Sequence, residues 1–185
     1  MTRSSEHESE QGMEINAIAM LKKDHHTVAR LFEDFERATE ANRASIATQI
    51  FNELEVHAAL EEEIFYPAVR DGVDLRSLME EEELDEEDGA DDDQSPDEDE
   101  ESEDIIAVSV EEHQEVRDLI TQLRSMDPAS KEFTELLGEL REAVQDHVAE
   151  EEDLILPAAQ MKLDVESLGA EMAQRRIALV SSMAA

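Results

Sequence analysis

Apolar residues recur every three or four positions along most of the chain, and that spacing predicts amphipathic helices. The first stripe, Ile18, Leu21, Val28, Phe32 and Phe35, takes in His25 and predicts a helix over about residues 13–39. A second helix is predicted from near Ser45, with Ile50, Leu54, His57, Leu60, Glu61, Ile64 and Phe65 on its inner face. Pro67 is expected to end or kink that helix, because proline has no backbone N–H to donate. Asp74 has the chemistry of an N-cap for a short helix to about Glu83. A third helix over about residues 105–125 carries Ile106, Val110, His113, Val116 and Ile120 on one face. Asp127-Pro128 interrupts the chain, and a fourth helix follows over about residues 130–160, with Phe133, Leu137, Leu140, Val144, His147, Glu151 and Leu154 in phase and Pro157 near its end. A short C-terminal helix is expected from Asp164, carrying Val165, Leu168, Met172 and Ile177.

The pattern fails in two places. Residues 1–12 are polar and are expected to form a disordered tail. Residues 80–104 hold 18 Asp or Glu among 25 positions, with no Lys or Arg, so half of the formal net charge of -36 sits there. Such a segment repels itself and has little to bury, which predicts a solvated, disordered linker. It divides the chain into a first helix pair, residues 13–79, and a second pair with the C-terminal helix, residues 105–185.

The two halves repeat. Leu21-Lys-Lys-Asp-His25-His-Thr-Val28 corresponds to Ser109-Val-Glu-Glu-His113-Gln-Glu-Val116. His57 is followed by Glu61 at four residues and Pro67 at ten, and His147 is followed by Glu151 and Pro157 at the same two intervals. Asp74-Leu-Arg-Ser-Leu78 and Asp164-Val-Glu-Ser-Leu168 begin seven residues after their prolines. Neither helix pair buries its stripe alone, so the expected fold is all-α. It is an antiparallel four-helix bundle with an internal two-fold pseudo-repeat plus a short C-terminal helix, one domain overall. The composition agrees: five Gly, four Pro and six aromatic residues in 185 leave little material for turns or strands.

Four of the six histidines, His25, His57, His113 and His147, lie in register on apolar faces, and Glu61 and Glu151 share those faces one turn on. A His and a Glu four residues apart stand ~6 Å apart along one helix and can grip one metal. Burying six such groups without a cation is costly. Four imidazoles and two carboxylates, with no cysteine in the chain, suit non-haem iron and, less selectively, manganese, zinc or copper. The repeat suggests two metals about 3.5 Å apart, one held by His25 and His57, the other by His113 and His147, with Glu61 and Glu151 bridging. Leu21, Val28, Leu60, Ile64, Val116, Val144 and Leu154 are the expected apolar walls. His26 faces Lys22, Lys23 and Arg30 and reads as a polar-face residue. Glu62, Glu63, Glu150 and Glu152 read mostly as solvated charge, with Glu62 or Glu150 open as an extra ligand or partner. Asp24 is open as a residue orienting an imidazole, and Tyr66 either hydrogen-bonds near the centre or caps the core with its hydroxyl outward.

Asp24-His25, His57-Ala-Ala-Leu-Glu61 with Phe65-Tyr66-Pro67, Glu112-His113, and His147-Val-Ala-Glu-Glu151 with Leu156-Pro157 together resemble the hemerythrin-like (HHE cation-binding) family. The resemblance covers about residues 14–180 apart from the acidic run. It implies a four-helix bundle around a bridged centre of two iron ions that binds or reacts with dioxygen and related small oxidants. The four in-phase histidines are closest to the more symmetric sites of sensor-like and mycobacterial-type members.

Other function classes are excluded or disfavoured. An excess of 51 acidic over 15 basic residues opposes nucleic-acid and anionic-membrane partners. No run of about 18 apolar residues is present. The start has no apolar signal region, so a cytoplasmic address is expected. The expected partner is a small diatomic or peroxide ligand. Peroxide-degrading, catalase-like turnover stays open, because no dedicated acid–base residue stands out and no catalytic residue is assigned. The alternative is a non-catalytic metal-binding or interaction scaffold whose acidic linker binds cations or a basic partner. Oligomeric state is not legible in the sequence.

Overall fold

The computed structural model describes residues 16–74 and 105–183. The predicted tail, the acidic linker and most of the short helix expected after Asp74 lie outside the described residues. The first half forms α1 (Ala17–Arg37), α2 (Glu40–Leu60), a π-helical turn (Glu61–Phe65) and α3 (Tyr66–Gly72). The second half forms α4 (Ile105–Arg124), α5 (Lys131–Glu150), a second π turn (Glu151–Ile155), α6 (Leu156–Lys162) and α7 (Val165–Met183). No strand occurs among the described residues.

Local chemistry sets the helix starts. The Asn16 side chain accepts from the Ala19 N–H at the head of α1, and Ser130 accepts from the Phe133 N–H at the head of α5. Asp164 accepts from the Ser167 N–H at the head of α7. Each bond satisfies a donor that the first helical turn leaves free. Only Ala38 and Thr39 separate α1 from α2, so α2 runs back antiparallel against α1. α4 and α5 pair likewise across residues 125–130.

Pro67 and Pro157 do not end their helices. Each sits at the start of a continuing helix, just after a π turn. In an α-helix the proline ring would meet the carbonyl four residues back. The turn is widened instead, and the Tyr66 and Leu156 N–H groups bond five residues back to the Glu61 and Glu151 carbonyls. The extra residue per turn also moves the inner face on by one. Phe65 and Ile155 are fully buried, whereas Ile64 and Leu154, expected as walls, are only half-buried.

The core has two apolar parts. One contains Leu21, Leu60, Phe65, Tyr66, Ile106 and Leu156. The other contains Val28, Phe35, Leu54, Ile120, Phe133 and Leu140, with the Phe35 and Phe133 rings 5.8 Å apart. Each fully buried large side chain contributes roughly 1.5–3 kcal/mol. The layer between these parts is polar, because His25 lies between Leu21 and Val28 on α1 and His57 between Leu54 and Leu60 on α2.

The C-terminal helix is longer than expected, at 19 residues, and lies against α1 and α2. Val165, Gly169 and Met172 are its buried residues, while Ile177, expected on the inner face, is exposed. No helix among the described residues is long and apolar enough to cross a membrane.

Candidate metal centre

All six predicted residues meet in the polar layer. His25, His57, His113 and His147 are contributed by α1, α2, α4 and α5, and Glu61 and Glu151 open the two π turns. Each histidine is at most 7% exposed, and both glutamates are 0% exposed. The Nε2 atoms point inward. His57 Nε2 lies 3.1 Å from Glu61 Oε1, and His113 Nε2 lies 3.2 Å from Glu61 Oε2. His25 Nε2 is 3.3 Å from Glu151 Oε2, and the Nε2 atoms of His113 and His147 are 3.2 Å apart. Two sets of atoms are close enough to hold an ion: His25, His57, Glu61 and Glu151 in one, and Glu61, His113 and His147 in the other. Glu61 belongs to both sets, and Glu151 belongs to the first.

Apart from the contact between the His113 and His147 Nε2 atoms, these close approaches lack hydrogen-bond geometry. Both oxygens of Glu61 and of Glu151, both ring nitrogens of His57, and His25 Nε2 are buried without a hydrogen-bond partner. Buried polar atoms are nearly always partnered, and an unpartnered one costs about 1–3 kcal/mol. Six of these atoms, all but His57 Nδ1, converge on one point and have the donor chemistry of a divalent or trivalent cation site. The residues present therefore fit a metal.

The Nδ1 atoms face outward to a ring of four carboxylates. His25 Nδ1 is 2.8 Å from Glu152 Oε1, and His113 Nδ1 is 2.9 Å from Glu62 Oε1. His147 Nδ1 is 2.8 Å from Glu112 Oε2, and His57 Nδ1 is 3.6 Å from Asp24 Oδ2. A carboxylate on Nδ1 holds the proton there and leaves the Nε2 lone pair free for a cation. The ring obeys the repeat: Glu62 and Glu152 each serve a histidine of the other half, while Asp24 and Glu112 each serve one of their own. Lys22 stands 3.7 Å from Glu152, Arg117 bonds Glu62 at 2.8 Å, and Arg176 of α7 bonds Asp24.

Burial and neighbouring charge set the protonation states. Burial and then the adjacent Glu151 charge push Glu61 well above the ordinary carboxylate range. Burial also opposes the Glu151 charge, but the imidazoles of His25, His57 and His147 outweigh it and hold Glu151 low. The two carboxylates behave as a pair that retains a proton when no cation balances them. Burial, helped by the neighbouring His147, pushes His113 down to about 4. Burial opposes protonation of His25 too, yet Glu151 and Glu152 raise it.

Sequence reasoning located the inner residues and part of the ring. Asp24 orients an imidazole, as one of its two readings held, and Glu62 is a partner of His113, while Glu150 is exposed. Glu152, read as solvated, is a partner of His25. Its signal was present: it follows Glu151 as Glu62 follows Glu61. Glu112, the partner of His147, was visible only as the counterpart of Asp24. His26 hydrogen-bonds through Nδ1 with the Lys22 carbonyl at 2.6 Å and stays on the polar face. The Tyr66 ring stacks on His113 at 5.7 Å, with its hydroxyl buried and without a hydrogen-bond partner, not turned to solvent.

An all-α bundle whose helices converge imidazoles and carboxylates on a buried point defines a class of cation-binding bundles. A sequence profile of the hemerythrin HHE cation binding domain matches residues 16–159 and, overlapping, 104–176. The chain belongs to that family. It is 24% identical over 154 residues to a DNA nickase of Nostoc sp. (strain PCC 7120), an alignment that covers 83% of this chain and 36% of that protein. The chain thus spans about a third of that curated relative's length. A crystal structure of a hemerythrin HHE cation binding domain-containing protein from Mycobacterium kansasii has the same fold, with a TM-score of 0.63 and 21% identity over 90% of this chain and 88% of that one.

Proposed function

We propose that this chain is a non-haem di-iron protein whose centre binds or reacts with dioxygen, nitric oxide or hydrogen peroxide. The observation that carries this reading is the convergence of buried, unpartnered imidazole and carboxylate atoms from both halves of the repeat. His25 and His57 would hold one iron and His113 and His147 the other, with Glu61, which belongs to both donor sets, and Glu151 supplying the carboxylates. A bound iron pair supplies an open coordination position and one-electron redox steps. The protein's own part is to hold six donors in place, to keep the imidazole protons on Nδ1 where the outer carboxylates accept them, and to exclude bulk water with the apolar clusters on either side. Nicking of DNA is not carried over to this chain, since a formal net charge of -36 opposes phosphate binding.

The test is metal content followed by rapid mixing. Protein loaded with iron should hold about two metals per chain, and its reduced form should change its near-ultraviolet absorption on mixing with oxygen or peroxide. One metal or none after loading rejects the di-iron reading. Two metals with an unchanged spectrum leave a structural centre.

A further inference from the structure

Two cavities meet at the centre. A groove of about 500 Å³ runs along the surface between α1 and α5, lined by His26, Ala29, Phe32, Gln145 and Ala149. A narrow chamber of about 20 Å³ lies against the four histidines, walled by Val28, Leu54, Ala58 and Val116. His25, Val144 and Val148 line both. His25 is fixed by its bond to Glu152, and Val144 is buried in the core. Val148 is half-buried, on the boundary between groove and chamber.

We propose that the groove is the route by which small ligands reach the centre, and that Val148 is the threshold that sets their size. The inference rests on the proposed function. A chamber of 20 Å³ admits about one water-sized molecule. Its apolar walls favour neutral guests. The groove also carries exposed Asp153, and Glu152 partnered by His25 and Lys22, while its cation Arg141 is occupied by Glu36 at 2.5 Å. Anions therefore meet like charge on the way in, and the favoured class is a neutral diatomic or undissociated peroxide.

Two arms test this. In the iron-loaded, reduced protein, Val148→Ala should speed nitric oxide binding and Val148→Trp should slow it by about 10-fold or more, with iron content unchanged. Azide binding to the oxidised protein should quicken as salt screens the groove, and nitric oxide binding should not. In the metal-free protein, dissolved dioxygen serves as a paramagnetic probe. It should enhance relaxation of the Val116 methyls, and Val148→Trp should suppress that enhancement. Unchanged nitric oxide rates in both Val148 variants at equal iron content overturn the threshold, and azide rates that ignore salt overturn the charge selection. If the chain fails to load iron, the di-iron reading falls, yet the dioxygen arm still decides the route: no enhancement at Val116 in the parent protein, or none lost in Val148→Trp, overturns it.

Discussion

Glu61 carries the heaviest constraint of any single residue. It is fully buried, both its oxygens lack hydrogen bonds, and among the described residues it alone belongs to both donor sets. Glu61→Ala should therefore drop metal from about two per chain to below one, whereas Glu151→Ala should keep the ion at His113 and His147. Elemental analysis of reconstituted variants reads this directly. Equal losses in the two variants would show that both glutamates bridge alike. In the ring, Glu62→Gln and Glu152→Gln should each weaken metal binding about 10–100-fold, and Glu150→Gln should not. Acid should act on the metal-free protein through His113. Its folded value of about 4 lies below the ordinary 6.5, so between those values the unfolded chain binds the extra proton. Stability from this group is complete above pH 6.5 and is lost as pH falls toward 4, a difference worth about 3 kcal/mol. His57 is shifted the same way, and His25, whose value is raised, has the opposite sign. Urea titrations of metal-free protein across that range, with His113→Gln as the variant, measure the slope. A slope that is not reduced in His113→Gln would place the effect elsewhere.

At the scale of elements, the periodic stripes and the doubled His-x-x-x-Glu marked the helices and all six inner residues. Three things escaped the sequence for physical reasons. A π turn adds one residue without a composition of its own, so the partial exposure of Ile64 and the exchange of Leu154 for Ile155 on the inner face were hidden, although the two prolines stood where the widening is needed. The ring of carboxylates was partly hidden because Glu152 and Glu62 reach histidines on other helices, and helical periodicity reports only on neighbours along one helix. The role of α7 was hidden for the same reason. Arg176 supplies the cation for buried Asp24, and Arg175 bonds the exposed end of Glu63 through two nitrogens at 2.5 and 2.8 Å. Arg176→Ala should leave Asp24 with His57 alone and cost about 1–3 kcal/mol. Arg175→Ala, which breaks a surface pair, should cost no more than about 1 kcal/mol. Denaturant midpoints for the two variants separate a helix that partners the site from one that only covers the bundle, and equal midpoints would favour the second.

For the molecule as a whole, charge is the dominant quantity. Every donor of the centre and every residue of the ring lies outside the acidic run, and the rest of the chain is acidic as well. A formal net charge of -36 on a 20.9 kDa chain opposes compaction by self-repulsion. Salt shortens the reach of that repulsion to about 10 Å at 0.1 M and about 3 Å at 1 M. Stability of the parent protein should accordingly rise with sodium chloride. Residues 84–103 carry 13 acidic side chains, and replacing them with Gly and Ser at equal length removes that charge without shortening the connection. Keeping the length matters little to closure entropy, since each doubling costs only ~0.6 kcal/mol, but it keeps the comparison electrostatic. The substituted chain should bind the same number of metals with unchanged helicity, and its stability should depend less on salt. Thermal unfolding at several salt concentrations, with metal content measured alongside, checks both halves. Loss of metal in the substituted chain would show that the acidic run gathers cations for the centre, and an unchanged salt slope would place the repulsion on the bundle itself.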